Sequence, residues 1–496
     1  MKRKIIVRLA LVTAIAGLAA GCSKFLEVEP DLRTQLNNTE KVAELLVSAY
    51  PKTDYMFMEL ASDNVEDKGP RSDYASLGDY GDFLSLTYKW KDYDNPAAVQ
   101  GSTSLYWSQC YLAIASANSA LGYIEEHPGD RSLDPYKGEA LVARAYAHFM
   151  LVTLYATAYE IGGGNTALGI PYVTEPERVV FEQYDRSTVG ETYARIEKDL
   201  MEGLSLLDDN VYNVPKFHFT RAAANAFAAR FFLFKGAFDK VIEHASAVYR
   251  ASAEYIPNLR PWNTVYNTAS YDHLPILYTQ SSQPSNLLLA EANSAWGRNY
   301  YIRYGLGQEV VSELTQDPNV TGGRFSYRQL NREPYYSFQK WKELFFETQI
   351  GSGFGQPYVM VPLFTVDELL MNRAEAYAQS GQLDLALQDI NAFVGTRIAN
   401  YDPGNHSVTP EKVAAFYEGV ELQQGVVNAI LDLKRAEFVS EGLRWLDIIR
   451  HRLPVRHNMR DAAGNETYIE LPANDPRRVF QIPETVTRAG IERNPR

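Results

Sequence analysis

The chain has 496 residues and a formal net charge of −13, which argues against nucleic acid as a partner. Its two cysteines are Cys22, which lies in a processing signal, and Cys110, which lies among apolar residues and is predicted to be buried. No internal disulfide is therefore expected, and stability must come from packing. The 33 tyrosines favour a binding protein, because tyrosine offers an apolar face and a hydroxyl.

The N-terminus carries an export signal. Three basic residues are followed by an apolar run and then by Ala19-Ala20-Gly21-Cys22. This pattern predicts a signal peptide over residues 1–21. It also predicts a lipoprotein with an acylated Cys22, which would hold the protein on a membrane without a spanning helix. The alternative is a plain secretory signal with a chance cysteine. Residues 22–36 are interpreted as a tether.

A long irregular stretch follows a first helix over residues 38–50. Residues 53–101 are rich in Asp, Gly, Ser and Tyr, and a long structureless segment in a compact protein is usually functional.

The central element is the segment Glu139–Tyr155. Its apolar positions have helical spacing and surround nearly the whole helix, which predicts a helix buried among others, with residues 105–126 as its antiparallel partner. Arg144 and His148 lie four residues apart on one face. We interpret them as a buried polar network, with a catalytic pair as the alternative.

An internal similarity indicates repeats. Ser187 and Thr220 are predicted to cap helices over residues 188–207 and 221–234. The segments around Gly236 and Gly381 align on their glycines, with small residues before each glycine and a large residue after it. That pattern is typical of tetratricopeptide hairpins, here separated by insertions.

The largest insertion, residues 253–362, is rich in aromatic residues and holds strand-like runs at 286–289 and 358–361. A helical segment over 425–450 follows, with charged residues suited to partly buried ion pairs between helices. Trp107 and Trp445 are predicted to lie in the core, whereas Trp262 and Trp341 stay undecided.

With these features the chain resembles the SusD/RagB family of outer-membrane nutrient-binding lipoproteins. The resemblance covers essentially the whole chain and rests on an ordered set of motifs: Cys22-Ser-Lys-Phe-Leu-Glu-Val-Glu-Pro30, Trp107…Tyr111…Ile114…Asn118, Gly138-Glu-Ala-Leu-Val-Ala-Arg-Ala-Tyr146, Arg186-Ser-Thr-Val, Asn372-Arg-Ala-Glu-Ala-Tyr377, Lys434-Arg-Ala-Glu-Phe, Glu441-Gly-Leu-Arg-Trp-Leu-Asp447 and Ile482-Pro-Glu. One departure is that Arg493-Asn-Pro-Arg ends where family members often continue to Gly-Tyr.

The resemblance implies a mainly α-helical fold, an α-α superhelix of about four tetratricopeptide-like hairpins, within one domain over residues 37–496. The scaffold would be residues 105–250 and 365–450, and the ligand face would be the insertions 53–101 and 253–362. It also implies a non-catalytic protein, anchored by lipid in the outer membrane and facing outward, with a SusC-like TonB-dependent transporter as partner.

A glycan is the expected ligand, because sugar rings stack on flat aromatic side chains while polar side chains bind their hydroxyls. In the family, ligand contacts come from about these two insertions. The candidate contacts are Asp63, Asn64 and Trp90 from the first insertion and Trp296, Arg298, Tyr300 and Tyr301 from the second. No cofactor is expected; Ca²⁺ at the Asp-rich residues 63–94 stays open without a supporting motif. The alternatives are a peptide ligand, a surface glycoside hydrolase, which lacks a recognisable hydrolase motif here, and a scaffold that binds only proteins.

Overall fold

The computed structural model describes residues 36–71, 80–93, 99–176, 183–293, 302–332, 335–349 and 351–496. The signal peptide and Cys22 lie outside the described residues. Two compact units follow one another along the chain, Met1–Glu44 and Leu45–Arg496. The helices and strands lie in the second unit, except for the helix Thr39–Leu46, which begins in the first.

The described part of the chain is mainly helical. The α-helices are α1 (Thr39–Leu46), α2 (Met56–Ala61), α3 (Tyr80–Tyr88), α4 (Thr103–Glu125), α5 (Asp134–Tyr155), α6 (Val189–Leu206), α7 (Arg221–Lys235), α8 (Phe238–Val248), α9 (Ser252–Tyr255), α10 (Leu274–Thr279), α11 (Gln308–Thr315), α12 (Val366–Gln379), α13 (Leu383–Val394), α14 (Pro403–His406), α15 (Pro410–Phe416), α16 (Leu422–Glu437) and α17 (Leu443–His451).

Short antiparallel strands accompany the helices. They are β1 (Glu66–Asp67), β2 (Asn286–Ala292), β3 (Tyr304–Gly305), β4 (Leu330–Arg332), β5 (Tyr335–Ser337), β6 (Leu344–Glu347), β7 (Gly355–Thr365), β8 (Val455–Arg460) and β9 (Glu466–Leu471). Strand β7 lies between β2 and β6, whereas β1 pairs with β3, β4 with β5 and β8 with β9. The strand-like runs predicted at 286–289 and 358–361 are thus parts of β2 and β7.

Helix α5 is the centre of the fold, as its sequence predicts. Every residue from Gly138 to Tyr155 is buried, and the helix packs between α4 and α6. At the crossing with α6 the two backbones approach so closely that a Cβ atom on Gly138 would lie 2.8 Å from the carbonyl oxygen of Gly203. Glycine is therefore required at this position for the helices to pack.

The predicted repeat hairpins are also present. Helices α7 and α8 are joined at Gly236, and α12 and α13 at Gly381, with φ angles of 71° and 74°. These left-handed conformations end a helix readily only with glycine. Helix α12 further packs against α7, α8 and α16, so the hairpins build one helical stack. The predicted fold class, a superhelix of helical hairpins with a strand-containing insertion, is confirmed.

Arg144 and His148 form the buried network that their spacing indicates. Arg144 donates to both carboxylate oxygens of Asp199, at 2.7 and 3.0 Å, and to Asn118 Oδ1 at 2.9 Å. His148 Nδ1 lies 2.9 Å from the Arg144 carbonyl oxygen, and its Nε2 accepts from the backbone N–H of Val173 at 3.1 Å. Burial lowers the pKa of His148 to about 3, so the ring is neutral.

Three local predictions need correction. The N-cap of α6 is Thr188 instead of Ser187, because Thr188 and Glu191 exchange the reciprocal hydrogen bonds of a capping box. The stretch 53–101 contains α2 and α3, and all six residues of α2 are buried, so no polar face revealed this helix in the sequence. The segment 425–450 is two helices, separated at Phe438–Gly442, where Ser440 and Gly442 have positive φ angles.

Candidate ligand-binding site

A cavity of about 300 Å³ lies where the two sequence insertions meet. Residues 59–65 reach it from the first insertion, and residues 271–275, 302–306 and 336–343 reach it from the second, with Ser440 from the turn before α17. The charged, amide and accessible aromatic side chains of the lining are Glu59, Tyr271, Asp272, Gln339, Lys340, Trp341, Lys342 and Glu343. The cavity therefore draws on the regions that the sequence predicts to form the ligand face.

Two aromatic side chains in the cavity wall are accessible. Tyr271 is 41% exposed, and its hydroxyl donates to the Gln329 carbonyl oxygen at 3.0 Å, which fixes the ring orientation. Trp341 is half-buried, and its indole Nε1 donates to the Ser440 carbonyl oxygen at 3.1 Å. Both rings are thus held at their polar ends while part of each ring remains in contact with the cavity.

Polar side chains border these rings. Asp272 and Lys342 are exposed, and Gln339 is half-buried. Gln339 has a φ angle of 48°, an uncommon conformation for a residue other than glycine, and its backbone N–H donates to Ser337 Oγ at 3.2 Å. Such backbone strain is often found at binding sites. A carboxylate, an amide and an ammonium group therefore surround the aromatic wall.

Glu59 is a buried acid in the cavity wall. Its carboxylate accepts from the backbone N–H groups of Ser440 and Gly442, at 2.7 and 2.9 Å, and from Asn64 Nδ2 at 3.1 Å. Burial raises the pKa of Glu59 to about 7, although these donors favour the ionised form. Glu59 thereby joins the first insertion to the turn that precedes α17.

Lys340 is a buried base in the same wall. It donates to Glu441 Oε1 at 2.8 Å, to the Val439 carbonyl oxygen at 3.0 Å and to the Glu437 carbonyl oxygen.

An ionic cluster lies behind Lys340. Arg397 pairs with Glu437 and Asp367, and Arg260 completes a cluster of three cations and three carboxylates. Because the buried charges balance, the base of the cavity is a fixed ionic framework. Trp262, left undecided by the sequence, is buried there and donates to Glu437.

The structure gives Asp63 and Asn64 intramolecular roles. Asp63 receives two hydrogen bonds from Arg444, at 2.9 and 2.8 Å. Burial raises the pKa of Asp63, but the guanidinium groups of Arg444 and Arg435 outweigh that effect and hold it well below its usual range. Asn64 is fully buried and, besides holding Glu59, accepts from Arg435 Nε at 3.0 Å.

Trp90 is only 5% exposed. Its ring stacks on His457 at a centroid distance of 4.3 Å, and its Nε1 donates to the Ala61 carbonyl oxygen at 2.9 Å. Tyr88 stacks on the other side of His457, whose two ring nitrogens lie 2.7 Å from the carbonyl oxygens of Tyr88 and Ser62. The prediction that Asp63, Asn64 and Trp90 contact ligand therefore gains no support from their placement.

The other candidate contacts, Trp296, Arg298, Tyr300 and Tyr301, lie outside the described residues. Sequence reasoning missed Tyr271 and left Trp341 undecided. The available signal was position: both belong to the aromatic-rich second insertion. The sequence does not tell which aromatic ring is covered by another side chain in the fold. Trp90 and Trp341 both lie in irregular segments, so no periodic pattern distinguishes them.

Among the residues that the structure describes, no group of three or more His, Cys, Asp or Glu side chains could hold a metal ion. Within the same ranges, no helix combines the length and apolar character that crossing a membrane requires.

These features define a class, a helical repeat scaffold that carries a cavity lined by loops. Two family models match the chain. A SusD-like model described as "Starch-binding associating with outer membrane" matches residues 24–233, and the SusD family model matches residues 282–489. The chain belongs to the SusD/RagB family.

Individual relatives are distant but nearly full length. SusD-like protein P38 of Formosa agariphila is 22% identical over 498 residues, covering 89% of this chain and 90% of the relative. A SusD superfamily crystal structure from Bacteroides thetaiotaomicron aligns with a TM-score of 0.62 at 19% identity, covering 92% of this chain and 98% of that chain. A laminarin-binding SusD-like protein aligns with a TM-score of 0.56 at 17% identity, covering 92% and 99%.

Proposed function

We propose that this protein is a non-catalytic surface lipoprotein that captures glycans and passes them to a TonB-dependent outer-membrane transporter. The observation that carries the proposal is the cavity in which Tyr271 and Trp341 lie beside Asp272, Gln339 and Lys342. Flat rings stack on the C–H faces of sugars, and the polar groups around them can exchange hydrogen bonds with sugar hydroxyls. The volume of about 300 Å³ lies at the lower end of the range for ligand pockets.

The export signal and Cys22, whose acylation would hold the protein on a membrane, support the proposed lipid anchor, and placement on the outer membrane is proposed from the family resemblance. The family description, which associates starch binding with the outer membrane, supports the same location. Transfer to a SusC-like transporter is proposed by analogy with the family. Such a transfer would explain why the protein is anchored to the membrane beside a transporter. In this proposal the glycan passes from the protein to the transporter without chemical change.

The absence of catalysis is proposed from the family resemblance; among the acids around the cavity, whose lining also includes Asp272 and Glu343, two buried ones are engaged within the protein. Glu59 accepts from three N–H donors, and Glu441 is paired with Lys340. A glycoside hydrolase needs one carboxyl group free to donate a proton and a second free to act as base or nucleophile. These two carboxyl groups serve instead as acceptors that hold loops together.

Calorimetry on the full chain in detergent would test the proposal, with laminarin, starch and other plant, fungal and host glycans beside a peptide library. We expect binding to one glycan class, loss of that binding in Trp341→Ala, and no change in Phe416→Ala, which replaces an exposed ring outside the cavity. Binding of peptides alone would support the peptide alternative. Release of sugars by the purified protein would support the hydrolase, and transporter binding without a soluble ligand would support the scaffold.

A further inference from the structure

The ribbon formed by β6 and β7 exposes three phenylalanine rings. Phe345 is 52% exposed, Phe346 63% and Phe354 77%. Single exposed apolar residues are ordinary on protein surfaces, but neighbouring exposed rings indicate a contact surface. These side chains bury little apolar area, so they contribute little to folding. The presence of large apolar rings at these positions therefore needs another explanation.

The strand register places two of these rings in one stripe. Phe346 pairs with Gln356 and Leu344 pairs with Tyr358, so these four side chains share one face of the ribbon. The N–H of Thr348 donates to the Phe354 carbonyl oxygen at 3.0 Å, which continues the pairing toward the turn and brings Phe354 onto the same face. Phe346 is thus the diagonal neighbour of Tyr358 on one side and of Phe354 on the other.

The stripe adjoins the cavity along the chain. Trp341, Lys342 and Glu343 line the cavity, and β6 begins at the next residue, Leu344. At the rise of an extended strand, Phe346 lies about 10 Å beyond Glu343. A ligand chain that extends from the cavity past Glu343 would therefore reach the ribbon.

We propose that the stripe Tyr358–Phe346–Phe354 is a second contact surface for the same glycan, so that the preferred ligand is an oligosaccharide chain long enough to span cavity and ribbon. The inference rests on the proposed function. Each ring offers a stacking surface for one sugar unit, and Gln356 and Thr348 supply hydrogen-bonding groups on the same face.

The exposed area favours a ligand chain over a protein partner. At about 200 Å² for a phenylalanine side chain, the exposed fractions of Phe346 and Phe354 leave roughly 280 Å² of apolar surface on the stripe. That is about a third of the 800 Å² or so that each partner contributes to a stable protein interface. A row of rings on a narrow ribbon suits a chain of sugars, which needs contact at successive units only.

The test measures affinity against ligand length. The full chain in detergent would be titrated with short and long laminari-, malto- and xylo-oligosaccharides, and compared with Phe346→Ala/Phe354→Ala. The matched control is Leu112→Ala/Ile161→Ala, which removes two side chains of similar exposure, 58% and 60%, elsewhere on the surface. We expect the ribbon variant to bind long oligosaccharides about tenfold more weakly, while short ones bind unchanged. Thermal unfolding would show that both variants fold.

The outcomes separate the two proposals. One outcome would overturn the ribbon inference and leave the proposed function in place. In that outcome Trp341→Ala weakens glycan binding, the affinity of the wild type does not depend on ligand length, and the ribbon variant binds like the wild type. Wild-type protein that binds none of these oligosaccharides and no glycan of the wider plant, fungal and host panel would overturn both. A ribbon variant that loses transporter binding but keeps its glycan affinity would overturn the assignment of the stripe to glycan. A peptide that binds by adding as a strand to the edge of β6 would overturn it as well.

Discussion

Asp63 and Arg444 face each other through two hydrogen bonds, 2.9 and 2.8 Å long, although 381 residues separate them in the chain. The pair joins the turn after α2 to the first turn of α17. Arg435 adds a hydrogen bond to the Asp63 carbonyl oxygen from α16. These contacts connect the first insertion with the C-terminal helices beside the cavity.

We therefore expect Asp63→Asn to destabilise the protein by about 3 kcal/mol, because it leaves the Arg444 guanidinium buried without its carboxylate. Urea unfolding would measure the loss. In a double-mutant cycle, Arg444→Met should cost less in the Asp63→Asn background than in the wild type. Equal costs in both backgrounds would contradict the coupling. Ligand affinity should not change, since the Asp63 carboxylate is occupied.

His148 predicts a pH dependence of stability. Its pKa is lowered to about 3 by burial in the native state, against about 6.5 in the unfolded chain. Below pH 6.5 the unfolded state therefore binds the proton that the native state refuses, and stability falls as the pH falls toward 3. Between pH 6.5 and 5 this group removes about 2 kcal/mol.

The comparison of wild type with His148→Gln isolates this contribution. Urea unfolding at pH 7.5 and 5 should show the wild-type protein losing about 2 kcal/mol more than the variant, which has no imidazole to protonate. His127→Gln, at an exposed position, is the matched control. If His127→Gln changed the pH dependence of the free energy of unfolding as much as His148→Gln does, the assignment to His148 would be contradicted.

The space around two helical glycines predicts opposite effects for their replacement by alanine. Gly138→Ala should cost about 1–3 kcal/mol, because its Cβ would lie 2.8 Å from the Gly203 carbonyl oxygen and the helices would have to separate. Gly122→Ala in α4 meets only the Pro176 ring at 3.5 Å, an ordinary contact. It should stabilise the helix by about 0.5–1 kcal/mol. Thermal unfolding of both variants would check the signs.

The scaffold was predictable from the sequence because its signals are local. The all-round apolar pattern of α5, the threonine cap at Thr220 and the glycines at 236 and 381 each act through neighbours in the chain. The site was less predictable because it depends on distant contacts. Trp90 and Trp341 look alike in sequence, and what separates them is His457, which lies far along the chain and covers only Trp90.

The two tryptophans therefore predict opposite phenotypes. Trp90→Ala should cost about 3–5 kcal/mol of stability, since it removes a buried ring and its hydrogen bond to Ala61. It should leave glycan affinity unchanged at temperatures where the variant is folded. Trp341→Ala should reduce glycan affinity strongly and cost less stability, because its ring is half-buried and borders the cavity.

Urea unfolding and calorimetry on the same preparations of both variants would measure the two effects. Each variant is the control for the other, since both remove an indole with one hydrogen bond to a backbone carbonyl. Lost glycan affinity in a fully folded Trp90→Ala protein would restore Trp90 as a ligand contact and require the ring to leave His457. Unchanged affinity in Trp341→Ala would move the binding site away from this cavity, because no other accessible indole lines it among the described residues.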